Sequence, residues 1–205
     1  MVEGIGKNVS PYWIGKRVAV FPKIACGKCK ECRTGHPERC TEYDYFGSRR
    51  DGAFAEYVGI PATQLLELPD NVSFEQAAML EPMAVAANAF RTGCRKDSVL
   101  PLDSKLAVCG LGTIGLLLTM FLIDAGYHNI YVIGNKSSQK AKVRELGIAD
   151  EQFFDCNDGD ASQWLKDASD GGVDAFFECV GKNESICYGL DAIASCGRLV
   201  LFFFI

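Results

Sequence analysis

The chain of 205 residues predicts an α/β protein, with a doubly wound parallel sheet in its second half and a β-rich region carrying a metal lobe in front of it. Three observations carry that reading. A short apolar run at residues 105–109 passes through three spaced glycines into a long apolar segment, the order of a strand, a tight turn and a helix. Beyond it, short β-type runs alternate with helical stretches, as parallel βαβ units require. Ahead of it, four cysteines fall between residues 26 and 40, close enough to surround one cation.

Composition sets the limits. Hydrophobic residues make up 48% and charged residues 23%, values of an ordinary globular chain long enough to bury a core. The net charge of −5 argues against a nucleic-acid partner. No apolar run reaches the roughly eighteen residues of a membrane span. No leader-like segment precedes the first polar residues, so a cytoplasmic setting with no membrane partner is expected. Of the ten cysteines, six are scattered singly, mostly among apolar neighbours. That pattern fits reduced thiols and one metal site better than a disulfide framework.

In chain order, residues 15–21 read as a turn and a strand. The cysteine loop follows, with two residues between Cys26 and Cys29, two between Cys29 and Cys32, and seven between Cys32 and Cys40. Four thiolates so spaced close a tetrahedron around a soft cation and leave no open position, which makes the expected role a structural zinc. A four-iron cluster favours a shorter last gap followed by Pro, and here Thr41 follows. A zinc ribbon sets its two cysteine pairs well apart, unlike this loop. Lys28, Lys30, Arg33 and Arg39 offset the negative charge of a four-thiolate zinc site. After the loop, Asp51 and Gly52 mark a turn and residues 53–59 alternate as a strand. Arg49 and Arg50 have two readings, a grip on an anionic substrate group or a solvated turn.

Residues 65–68 read as a further strand, and Ser73 as the N-cap of a helix that begins at Phe74. The helix leads to Glu81 and Pro82. A carboxylate in that apolar surround is either paired or bound to something, because isolated burial of its charge is costly; the other reading is a partly exposed Glu at a helix end. Residues 84–90 continue as a small-residue helix joining the two halves.

Gly110, Gly112 and Gly115 form the G-x-G-x-x-G pattern of a dinucleotide fingerprint, with Thr113 and Ile114 between the last two. The first glycine allows the turn, the second lets a pyrophosphate approach, and the third lets helix and strand pack closely. The helix N-terminus then offers free N–H groups to the phosphates. A helix over 116–125 is closed by Gly126. Strands follow at 129–133, 152–155, 173–177 and 197–204, the fourth of the sheet ending at Glu178 to Gly181. The intervening helices are expected at 137–146, at 160–168 with Trp164 and Leu165 inward, and at 184–194. About twenty residues beyond the fingerprint an acidic residue should bond the adenosine ribose. The count reaches Asn135, followed by Lys136. Asn can bond a ribose hydroxyl without repelling a 2′-phosphate, and Lys136 attracts one, so NAD and NADP both stay open.

Four features, in this order, resemble the zinc-dependent medium-chain dehydrogenases: the cysteine loop, the D-G-x-F-A-E-Y run from Asp51 to Tyr57, Glu81 with Pro82, and the glycine fingerprint. Within that family they are similar to the polyol branch typified by sorbitol dehydrogenase. Tyr43 and Asp44, with the run from Gly47 to Asp51, resemble the galactitol-1-phosphate dehydrogenases. The resemblance spans nearly the whole chain. It implies part of a GroES-like catalytic domain over residues 1–84 and a Rossmann-type nucleotide domain over 85–205, incomplete at its C-terminal end. It implies hydride exchange between a secondary alcohol of a polyol or polyol phosphate and NAD, with a catalytic zinc polarising the alcohol oxygen, in a homo-oligomer. Glu81 takes the position that serves this zinc, directly or through water, and Asp174, Glu178 and Gly181 border the cofactor cleft, with a plain strand-edge position as the other reading of Asp174.

One departure bears on activity. The family's remaining catalytic-zinc ligands, a Cys and a His-Glu pair, lie upstream of the part that matches Met1, and neither His36 nor His128 matches a ligand position. The chain is therefore expected to be an internal piece of a longer enzyme. It should be inactive alone, since a catalytic zinc usually has three protein ligands. The alternative is a non-catalytic nucleotide-binding module with a structural zinc.

Overall fold

The computed structural model describes residues 1–95 and 99–202, and the chain divides into two units, Met1–Glu81 and Pro82–Ile205. The first is built from short pieces. A 3-10 turn at Pro11–Trp13, capped by Ser10, precedes β1 (Val18–Val20) and β2 (Lys23–Ile24). Then come α1 (Lys30–Arg33), β3 (Asp44–Tyr45) and β4 (Leu65–Glu67). β1 pairs antiparallel with β4 and β2 with β3. The strand expected over residues 53–59 does not form. Alternation alone cannot hold a strand without a ladder partner, and Phe54 and Tyr57 stand exposed there.

Ser73 caps α2 (Phe74–Ala77) as expected, its Oγ accepting from the Gln76 N–H at 3.2 Å while Gln76 Oε1 accepts from the Ser73 N–H at 2.8 Å. This reciprocal pair is a capping box. The helix does not run on to Glu81, however. It stops at Ala77, and α3 (Leu80–Phe90) starts afresh with Pro82 in its first turn, where a missing N–H leaves no bond unmade.

In the second unit, a π turn at Arg91–Arg95 precedes β5 (Leu106–Cys109), α4 (Thr113–Asp124), β6 (Ile130–Gly134) and α5 (Ser137–Glu145). β7 (Phe153–Asp155), α6 (Ala161–Ala168), β8 (Val173–Glu178), α7 (Asn183–Ala192) and β9 (Ile193–Leu201) complete it. The five strands are all parallel, in the order β7-β6-β5-β8-β9. The chain winds outward in both directions from β5, as the sequence predicts. Leu106, Ala107 and Val108 are fully buried, because helices cover both faces of a parallel sheet. Leu118, Leu122 and Val143 of α4 and α5 pack with Val108, Val132 and Phe177. Ala161, Leu165 and Ala192 of α6 and α7 pack with Ala107, Ile133 and Phe176. Trp164 turns inward as expected, stacking on Phe154 with centroids 5.0 Å apart and meeting Tyr131 edge-on at 6.0 Å.

β9 starts four residues before the expected position, directly after α7, and its pairing with β8 shifts register between Val173 and Ala175. Cys196, at φ 65°, marks the irregularity. Phe203 and Phe204, expected in the same strand, lie outside the described residues. Among the described residues, no helix is long and apolar enough to cross a membrane.

Candidate metal lobe and nucleotide cleft

The lobe gathers its four sulfurs from local turns. Cys26 follows β2, Gly27 bends the chain at φ 72°, and Cys29 caps α1, which carries Cys32. A 3-10 turn at Pro37–Arg39 then returns the chain to Cys40. All four Sγ atoms lie within 4.8 Å of one another, with Cys29 and Cys40 at 3.8 Å. A regular tetrahedron of four ~2.3 Å zinc–sulfur bonds has edges of roughly 3.8 Å. Backbone N–H groups also point at the sulfurs, from Cys26 to Cys40 Sγ and from Cys29 to Cys26 Sγ, both at 3.3 Å. The donor set fits a structural zinc. Burial, and then the hydrogen bond with Cys29, push the Cys32 thiol up to about 12. Four packed sulfurs resist ionising together, and metal binding there releases protons.

The second site opens at the C-terminal ends of β5, β6 and β8 as a cleft of about 410 Å³. β5 runs into Gly110 at φ 95°, where a Cβ would come within 2.6 Å of Val180 Cγ2 and 3.0 Å of the Cys179 carbonyl carbon. A Cβ on Gly115 would lie 1.9 Å from the Gly110 carbonyl oxygen, so helix and turn touch backbone to backbone. Gly112 differs. It sits at the N-cap of α4 with no atom within 4 Å of a Cβ position, which leaves the helix N-terminus open to a ligand.

One wall of the cleft carries Asn135, whose N–H donates to Gln139 Oε1 at 3.0 Å, with Cys156 and Asn157. The other carries Val180, Lys182, Ser185 and Tyr188. The Tyr188 hydroxyl donates to Glu184 Oε1 at 2.7 Å, and that bond holds the phenol up to about 12. Burial, and then the Glu178 charge, push the Cys109 thiol up to about 12 and raise Cys179 as well. Both remain protonated and therefore poorly nucleophilic.

The model of the Alcohol dehydrogenase GroES-like domain matches residues 1–70, and that of the Zinc-binding dehydrogenase matches residues 113–202. The chain belongs to the zinc-dependent medium-chain dehydrogenases. L-idonate 5-dehydrogenase of Vitis vinifera is 32% identical over 98% of this chain and 55% of its own length. Galactitol 1-phosphate 5-dehydrogenase of Escherichia coli K12 is 32% identical over 79% of this chain and 45% of its own. A candidate zinc-binding dehydrogenase from Sinorhizobium meliloti 1021, bound to NADP, has a TM-score of 0.85 at 27% identity, covering 98% of this chain and 57% of that one. The chain spans about half the length of the curated relatives it matches.

The fold brings Gly110, Gly112 and Asn135 together on the cleft. Thr113 opens α4 exposed, Ile114 packs into the core, and Gly115 lies buried beneath the turn. Lys136 is exposed at the N-cap of α5, next to the cleft wall rather than part of it. Glu178 stands fully buried behind the opposite wall. Asp174 is at the other end of β8, accepting from the Lys105 N–H at 2.8 Å, so it pins the start of β5 instead of bordering the cleft.

Of the two readings of Glu81, the structure shows the exposed one: it stands in the first turn of α3, four residues beyond the end of the preceding helix. Burial, and then the Glu81 charge, raise the phenol of Tyr45. Arg49 stacks over Tyr43 at 3.8 Å and donates to its carbonyl at 2.9 Å, while Arg50 pairs with Asp44 at 2.7 Å. Both guanidinium groups are engaged by neighbours. Sequence reasoning missed Gln139, Asn157, Lys182 and Tyr188. Gln139 lies one helical turn beyond Asn135, and that spacing is the one signal that could have found it.

Proposed function

We propose that this chain supplies the nucleotide site and the structural zinc lobe of a dehydrogenase that exchanges hydride between NAD(P) and a secondary alcohol of a polyol or polyol phosphate. The carrying observation is the open N-terminus of α4 at Gly112, set between two walls at the point where the sheet winds both ways from β5. The names of the Vitis and Escherichia relatives support the substrate class. When bound, the nicotinamide accepts or donates the hydride. The fingerprint N–H groups hold the pyrophosphate and Asn135 bonds the adenosine ribose. No carboxylate stands at the end of β6 to repel a 2′-phosphate, and Lys136 beside it attracts one, so NADP is accepted with NAD.

Glu81 is proposed to contribute one carboxylate to a catalytic metal. Among the described residues, only the four lobe cysteines gather three or more ligating side chains, so Glu81 has no donor set to complete. This favours a second reading of the chain by itself, a nucleotide-binding module without turnover. Calorimetry with NADH and NADPH tests the first reading. Gly112→Val should abolish binding of both, by more than about a hundredfold, while leaving the melting temperature unchanged, because its side chain fills ligand space and not protein space. Undiminished binding would show that the loop has another use. Lys136→Ala should weaken NADPH selectively, by about tenfold, the scale of one charge-assisted phosphate contact. Turnover of a polyol by the chain with added zinc would exclude the second reading.

A further inference from the structure

β6 ends at Gly134 on the cleft, and α5 brings Gln139 to the same place. The two are in contact. A Cβ on Gly134 would lie 2.8 Å from Gln139 Oε1 and 3.1 Å from Leu111 Cδ1. The carboxamide of Gln139 therefore stands in the space that a side chain at the strand end would occupy. In a dinucleotide site, an acidic side chain at that strand end bonds the 2′-hydroxyl of the adenosine ribose, and its charge opposes a 2′-phosphate. Here the space is taken by a neutral group.

The partner of the amide fixes its orientation. Gln139 Oε1 accepts from the Asn135 N–H at 3.0 Å, and of the two ends of a carboxamide only the oxygen can meet an N–H. Nε2 makes no hydrogen bond among the described residues, so the free end of the side chain is a donor. A free donor suits an anionic oxygen better than a ribose hydroxyl, whose own hydrogen it cannot accept. The charges nearby point the same way. Lys136, next to Asn135, and Lys182, on the opposite wall, make no salt bridge among the described residues. Among those residues the one carboxylate lining the cleft is Glu184, on the far wall, where the Tyr188 hydroxyl donates to its Oε1.

We propose that Gln139 is a specificity-determining residue through which this chain selects NADP(H) over NAD(H), its Nε2 donating to the 2′-phosphate while Oε1 holds the turn at Asn135. The proposal goes beyond acceptance of both cofactors, and it rests on the dinucleotide reading of the cleft. Its test is calorimetry with NADPH and NADH, and with adenosine 2′,5′-bisphosphate and AMP, each pair differing by the 2′-phosphate alone. The unaltered chain should bind the phosphorylated member of each pair at least about tenfold more tightly, the scale of a hydrogen bond to a charged group. Gln139→Glu keeps an acceptor for the Asn135 N–H and nearly the same shape, but turns the free donor into a charge of the phosphate's own sign. It should weaken NADPH and the bisphosphate by about ten- to a hundredfold. NADH and AMP should stay within about twofold or bind more tightly, and the melting temperature should not change.

NADH bound as tightly as NADPH by the unaltered chain overturns the proposal and leaves the dinucleotide reading standing. A preference for NADPH that survives Gln139→Glu also overturns it, since Lys136 or Lys182 then selects without Gln139. So does an equal loss of all four ligands in the Glu variant, which means a loosened turn and not a lost phosphate contact. If the unaltered chain binds none of the four, the dinucleotide reading falls first and takes the proposal with it.

Discussion

Met1–Glu81 and the sheet unit that follows differ in what keeps their loops in place. Among the described residues of the first, Cys40 and Leu68 are the only buried apolar side chains. The second encloses Leu106, Ile130, Phe176, Phe177 and many more, on both faces of a five-stranded sheet. Short strands of two or three residues in the first unit bury too little apolar area to fix a loop by packing. Its cysteine loop has instead the four-sulfur geometry that a coordinated cation would hold in place. The glycine loop of the second unit depends on backbone contacts between Gly110, Gly115 and the turn after β8. A functional loop can thus be held by coordination or by packing, and the two modes should fail under different treatments.

The largest expected effect is zinc removal. Structural zinc in small domains is worth about 10–16 kcal/mol in apparent binding free energy. Chelation, or Cys29→Ser, should strip hydrogen-exchange protection from the amides of residues 26–40 while those of β5 and β8 keep theirs. Equal loss in both units would break the comparison. Phe177→Ala is the converse. Its ring is fully buried, and a Cβ on Gly93 would come within 2.4 Å of it, so nothing nearby can collapse into the space without backbone movement. A loss of about 3–5 kcal/mol is expected in urea unfolding of the sheet unit, with zinc content unchanged.

The smallest effect is the acid response. The Ser162 hydroxyl, then the N–H groups of Gln163 and Ser162, hold the Asp160 carboxyl at the start of α6 below its usual range. A lowered folded-state value contributes stability above the unfolded value, near 3.8, that is lost as pH falls through the folded one. Zinc thiolates take up protons at higher pH than that. On acidification the lobe should therefore release its metal first, and the sheet unit should weaken only below about pH 4. Asp160→Asn keeps a capping side chain and should flatten the slope of sheet stability between about pH 4 and 2. An unchanged slope would remove Asp160 from the account.

Much of this architecture is legible in the sequence where one short signal dictates one local geometry. The cysteine spacing, the Ser73 cap and the glycine fingerprint are all read off neighbouring residues, and each appears where expected. What misleads is whatever depends on distant partners. Residues 53–59 alternate like a strand but meet no ladder. Glu81 reads two ways, enclosed by apolar neighbours or exposed at a helix end, and only the break between α2 and α3 decides for the exposed one. Asp174 and Glu178 belong to one strand and look alike in sequence, and only the pairing of β5 with β8 separates a pin at one end from a buried brace at the other. The cleft walls at Gln139 and Tyr188 come from helices packed on opposite faces of the sheet, a proximity no local pattern encodes.

The aromatic stack at the flank of the sheet has a practical corollary. Of the two tryptophans in the chain, Trp13 lies in the first unit, edge-on to Tyr12 at 5.5 Å, and Trp164 lies in the second, stacked on Phe154. Each unit therefore contains its own intrinsic fluorophore. With Trp13→Phe the emission reports the sheet alone, and with Trp164→Phe it reports the lobe-bearing unit alone. The melting of the two can then be followed separately, without any attached dye.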